Sequence, residues 1–185
     1  MSDIKILGIA GSLRKGSYNR NLLKTAQGLL PGGASLEIAE LHGIPVFSED
    51  DEKNPPEAVT AFKKKIRAAD AILFATPEYN YSIPGGLKNA IDWASRPYGD
   101  SAWIGKPAAI MGASVGRFGS ARAQYHLRQV CVYLELDVIN DEVMVGSASD
   151  LFDDQDNLTH ASSRKAIQEL LESLVARTRM ISTSR

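Results

Sequence analysis

At 185 residues, with 44% hydrophobic and 23% charged side chains, the chain has room for one domain able to bury most of its unfolded surface. A formal net charge of -1 gives no general attraction to nucleic acid or to acidic membranes. The single cysteine, Cys131, excludes an intrachain disulfide and a thiolate zinc cluster, and its apolar neighbours place it in the core.

The chain is expected to enter its first strand at Ile4 with no signal peptide before it, and no apolar run reaches the ~18 residues that cross a bilayer. The expected location is therefore the cytoplasm. Ile4 to Ala10 reads as a buried strand, and Arg20 to Ala26 has the apolar spacing of a helix. Between them lies Gly11-Ser12-Leu13-Arg14-Lys15-Gly16-Ser17-Tyr18-Asn19. A strand, a Gly- and Ser-rich turn and a helix start together suit an anion, because a helix begins with unpaired N–H groups at its positive end. Ser12, Ser17 and Asn19 add neutral donors, and Arg14 adds a charged fork suited to phosphate oxygens.

Two other phosphate loops can be compared with this one. A nucleoside-triphosphate loop needs a Lys-Ser/Thr ending that this stretch lacks. The dinucleotide fingerprint needs a spacing that Gly8, Gly11 and Gly16 do not have. Glu40 stands near the place of a ribose-binding acid, which leaves that rival open. The simplest occupant is one monophosphate.

Ser35 to Leu41 alternates as a half-buried edge strand does. Next come a loop with the acidic run Glu49 to Glu52, expected to be solvated, and a helix from Pro56 to Ala69. Its Lys63-Lys64-Lys65 run reads as a solvated face. Ala71 to Thr76 and Pro107 to Ser114 are apolar enough for central parallel strands covered on both sides. The first leads into residues 77–86 and a helix through Trp93, the second into residues 114–120 and a helix from about Ala121 to Leu134. A short strand, Glu142 to Val145, closes the sheet, and a last helix presents Ile167, Leu170, Leu171, Leu174 and Val175 inward. Alternating strands and helices predict a three-layer α/β domain whose right-handed crossovers bring the loops after the strands to one edge. Gly85, Gly86, Gly116 and Gly119 would let a flat ring approach there, and Tyr79 and Tyr81 could cover it.

The first loop, together with Pro77-Glu78-Tyr79-Asn80-Tyr81-Ser82-Ile83-Pro84-Gly85-Gly86-Leu87-Lys88-Asn89-Ala90-Ile91-Asp92-Trp93, resembles the NADPH-dependent FMN reductase family. Within the family the chain is most similar to the chromate and quinone reductases, over nearly its whole length. The resemblance implies a single flavodoxin-like domain over residues 1–185, with a five-stranded parallel sheet in the order 2-1-3-4-5. It implies bound FMN, with Ser12, Leu13, Arg14, Ser17 and Asn19 around the phosphate. Pro77, Glu78, Tyr79, Asn80 and Ser82 would lie beside the isoalloxazine ring, and Ser114 and Gly116 at its other edge. Arg117-Phe118-Gly119-Ser120 departs from the small, Gly-rich run usual in the family, so Arg117 could instead reach a substrate or a neighbouring subunit.

The expected activity is ping-pong transfer from NADPH or NADH to a quinone, or to another acceptor such as chromate or an azo dye. No protein nucleophile is required, because the flavin carries the chemistry. His42, His126 and His160 are scattered and read as surface residues. No basic pocket for the 2′-phosphate of NADPH is visible beyond scattered Arg and Lys. The family implies a homodimer or homotetramer, with Trp93, Tyr98 and Trp103 as contact candidates, although core packing explains them equally well. Two rivals are release of reduced FMN as product and a flavodoxin-like electron carrier; the near-zero net charge disfavours the carrier.

Overall fold

The strand-like runs pair in register as parallel neighbours, and the computed structural model describes residues 3–183. β1 (Ile4–Ala10) lies between β2 (Ala34–Ala39) and β3 (Ala71–Ala75), with Ile6 opposite both Leu36 and Ala71. β3 pairs with β4 (Pro107–Ala113), giving the flavodoxin-like order 2-1-3-4-5. The outer edge differs from a single fifth strand. β5 (Asp137–Val138) pairs with the start of β4, and β6 (Val143–Val145) pairs with its end. Both segments follow the same neighbour, so the edge is one line of pairing interrupted at residues 139–142.

Side-chain alternation in the central strands builds a separate core on each face. Leu73 and Ala75 of β3 face α1 (Tyr18–Gln27) and α5 (Ala161–Thr183), meeting Leu22, Leu23, Leu170 and Leu174. Ile72 and Phe74 face the opposite way, toward α2 (Glu57–Ala68), α3 (Gly85–Ala94) and α4 (Ala121–Tyr133), meeting Phe62, Ile66, Leu87, Ile91 and Leu127. Burial on both faces accounts for the continuous apolar runs of β3 and β4. β2 is the edge its alternation predicts, with Ser35 and Glu37 exposed.

Two readings of the sequence change. Trp93 and Trp103 are fully buried, and Trp103 packs against Phe62 and Phe74 while its indole N–H donates to the Ile91 carbonyl at 3.0 Å. Of the three contact candidates, only Tyr98 is exposed. Lys63 is not on a solvated face: only 7% exposed, it donates to the Arg96 carbonyl and to both the carbonyl and carboxylate of Asp100, at 3.1 Å each for the latter two. An ammonium has three protons, and these acceptors take all of them.

Candidate active site

The strand order reverses between β1 and β3, the place where open α/β sheets bind ligands. The Gly11 N–H donates to the Ala75 carbonyl at 2.8 Å, carrying the β1–β3 ladder one residue further before the first loop lifts away. Ser17 caps α1, its hydroxyl accepting from the Arg20 N–H at 3.3 Å. Ser12 is buried, with its Oγ 3.2 Å from the Tyr79 hydroxyl. Leu13, Arg14, Lys15 and Gly16 are exposed, and the Arg14 guanidinium lies 5.5 Å from the Tyr18 ring centre. The loop thus offers two serines, a guanidinium and the positive end of a ten-residue helix.

The Asn19 side chain is bonded within the fold. Its side-chain amide donates to the Ala113 carbonyl and accepts from the Ala113 N–H, each at 2.9 Å. This pair ties the start of α1 to the end of β4, so Asn19 serves the site by aligning two loops.

The second loop contains a tight hairpin. Tyr79 and Ser82 exchange two backbone hydrogen bonds of 3.0 Å, leaving Asn80 and Tyr81 at the tip with φ of 49° and 67°. Positive φ at both tip residues is the turn that matches strand twist, but for tyrosine it costs about 1–3 kcal/mol. Contacts around the hairpin hold it in place. Ser82 Oγ is 3.0 Å from His126 Nδ1, and the Arg122 guanidinium stacks 3.7 Å above the Tyr81 ring. Pro77 is buried beneath the turn.

Glu78 reaches the start of α4. It accepts from the backbone N–H groups of Arg122 and Ala123 at 3.0 and 3.4 Å and pairs with the Arg122 guanidinium at 2.5 Å. Burial pushes its carboxyl upward, but the Arg122 guanidinium and the two N–H groups outweigh this and hold it below the usual carboxylate range. A folded-state value below the unfolded one means that the stabilisation is present above the ordinary pKa and fades as pH falls through the lowered one. Glu78→Gln should therefore cost about 2 kcal/mol at pH 7. The gap from wild type should narrow below about pH 4, as thermal melts across that range would show.

The third loop is braced by the segment after β6. The Ser114 N–H donates to the Val145 carbonyl at 3.0 Å, and the Ser114 carbonyl accepts from the Ala148 N–H at 3.0 Å. Its hydroxyl accepts from the Gly116 N–H at 3.1 Å, and the Gly116 carbonyl accepts from the Ser147 N–H at 3.3 Å. Val115, Arg117 and Phe118 are exposed. Gly119 does not serve ring access: a Cβ there would sit 2.6 Å from the Met144 backbone, so packing on β6 demands glycine. Cys131 is inert, because burial pushes its thiol up to about 12 despite nearby Arg128.

Sequence reasoning missed Arg122, which joins Glu78, Tyr81 and Phe118, the last with its ring centre 5.2 Å from the guanidinium. The signal available was the i, i+4 spacing of Arg122 and His126, which puts both on one side of α4 facing the second loop.

A three-loop site above a 2-1-3-4-5 sheet can be compared with known proteins. The profile of the NADPH-dependent FMN reductase family matches residues 4–150. The chain belongs to this family. Among NADPH-dependent FMN reductase relatives, an NAD(P)H-dependent FMN reductase of Pseudomonas aeruginosa is 57% identical over 174 residues, covering 93% of this chain and 94% of that one. A 2-hydroxy-1,4-benzoquinone reductase of a Burkholderia species is 42% identical over 174 residues, covering 94% and 95%. The solved structure of a flavoenzyme NAD(P)H:(acceptor) oxidoreductase from Paracoccus denitrificans superposes with a TM-score of 0.84 at 33% identity, covering 96% of this chain and 98% of that one. The donors in the first loop fit the cofactor this family name implies. Ser12, Arg14, Ser17 and the start of α1 match a dianionic phosphate, and no carboxylate pairs with Arg14 among the described residues.

Proposed function

We propose that the chain is a single-domain, FMN-dependent NAD(P)H oxidoreductase whose acceptors are quinones, with chromate and azo compounds as further acceptors. The observation that carries this reading is the meeting of a phosphate-type loop with a strained, firmly held hairpin at the β1/β3 switch point. FMN would supply the hydride and electron chemistry when bound. Arg14, the hydroxyls of Ser12 and Ser17 and the N–H groups of the first loop, beginning at Leu13, would bind the phosphate. Asn19 would align the first and third loops. The Pro77–Ser82 turn would flank the ring on one side, with Asn80 and Tyr81 at its tip and Glu78 anchoring it through Arg122. Ser114 and Gly116 would supply polar backbone and hydroxyl groups at the other edge.

The relatives named as quinone and FMN reductases support the substrate classes. The exposed Tyr81, Val115 and Phe118 offer apolar contact to a quinone or to a neighbouring subunit of a homodimer or homotetramer. No described helix is long and apolar enough to cross a membrane, and we place the protein in the cytoplasm. The test is the absorbance spectrum of the purified protein, then NADPH oxidation with and without benzoquinone. Yellow protein with quinone-dependent turnover is expected. Turnover only with added free FMN would replace this reading with flavin release, and no turnover with any acceptor would leave an electron carrier.

A further inference from the structure

The Arg122 guanidinium meets both of the loops that flank the proposed ring site. Its carbon lies 3.7 Å from the centre of the Tyr81 ring, at the hairpin tip, and 5.2 Å from the centre of the Phe118 ring, in the third loop. The same guanidinium pairs with Glu78 at the base of the hairpin. Arg122 thus holds the hairpin at two points and meets the third loop at one. Glu78, with its side chain only 8% exposed, also accepts from two N–H groups at the start of α4, so the ion pair is fixed to that helix.

Core packing does not account for these two rings. Tyr81 and Phe118 are 67% and 66% exposed, and a ring left largely in water gains little from burial. What remains is the attraction between a ring face and a flat cation, which arginine serves better than lysine because its guanidinium stacks. The backbone around Phe118 is fixed from the other side: the Phe118 carbonyl accepts from the Ala121 N–H at 2.9 Å, and the Gly116 carbonyl accepts from the Ser147 N–H at 3.3 Å. The loop therefore keeps its shape without the Phe118 side chain, and the ring is free to serve as a tie to the hairpin. We propose that Phe118 is a positioning residue: through Arg122 it ties the third loop to the hairpin and slows the departure of FMN. The inference rests on the flavin reading above. A ring flanked by two loops leaves when they part, and a contact that must break before release acts on the off-rate.

The purified protein is loaded with FMN, cleared of free flavin on a desalting column and held in flavin-free buffer. FMN in successive ultrafiltrates is then measured by fluorescence. Phe118→Ala should release FMN roughly three- to fivefold faster than wild type, with a melting temperature within about 2 °C of it. Phe118→Leu, which keeps apolar bulk without a ring face, should behave like Phe118→Ala, and Phe118→Tyr should release at the wild-type rate. In an Arg122→Gln background the cation is gone, so Phe118→Ala should add nothing, because the two residues act through one contact. Release unchanged in Phe118→Ala, or accelerated equally in the Arg122→Gln background, would overturn the proposal. So would faster release accompanied by a change in oligomeric state on size-exclusion chromatography, which would assign Phe118 to a neighbouring subunit. Wild-type protein that takes up no FMN would overturn the flavin reading itself, a failure distinct from one in which wild type holds FMN and the variants hold it equally well.

Discussion

Arg14→Ala is expected to yield folded protein that purifies without flavin colour. Arg14 is exposed and makes no ion pair within the described chain, so its loss should leave the melting temperature nearly unchanged. Each charge-assisted hydrogen bond to phosphate contributes about 1.5–3 kcal/mol, and a guanidinium fork makes two. The expected loss in FMN affinity is on the order of a hundredfold or more. Absorbance of the purified variant, followed by titration with FMN, measures it. Wild-type affinity in this variant would remove Arg14 from the phosphate site and return the first loop to an ordinary polar turn.

Gly112→Ala should be strongly destabilising, although it adds a single methyl group near the site. A Cβ on Gly112 would lie within 3.0 Å of both the Ser120 hydroxyl oxygen and the Thr76 carbonyl. Neither can retreat easily. Thr76 is held in the sheet by its N–H bond to the Met111 carbonyl at 3.0 Å, and Ser120 sits at φ 68° at the start of α4. Overpacking of this kind costs about 3 kcal/mol, or roughly 6–12 °C in Tm for a chain of this size. Because the clash pushes on the second and third loops together, flavin affinity should fall as well. Gly116→Ala is the control for stability: the nearest neighbour of its Cβ is Ser114 Oγ at 3.5 Å, an ordinary contact. Equal melting temperatures for the two variants would show that β4 and the third loop can separate without cost.

Much of the architecture was legible because burial writes its period into the chain. The unbroken apolar runs of β3 and β4 can only be strands covered twice, and the alternation of β2 marks an edge. The interruption at residues 139–142 was not legible, since Asp137–Val138 is too short to show a period. The first loop was visible as an anion site because its donors are consecutive. The roles of polar residues were harder to read. Asn19 meets Ala113 across 94 positions, and Glu78 meets Arg122 across 44. Lys63 finds its acceptors at residues 96 and 100, which no local pattern announces.

The order of residues alone set the alternating strands and helices, the two buried faces of the sheet and the Gly-Ser-Arg loop above its first strand. Those follow from local spacing, because side chains two or three to four positions apart share a face whatever the rest of the chain does. Tertiary structure decided which polar groups stay free for a ligand. Folding turned Glu78, Asn19 and Lys63 inward to satisfy backbone and charge, and it brought the Arg122 guanidinium over the rings of Tyr81 and Phe118. A donor or charge takes whichever partner the crossovers bring within about 3 Å, and that choice is made only when distant segments meet.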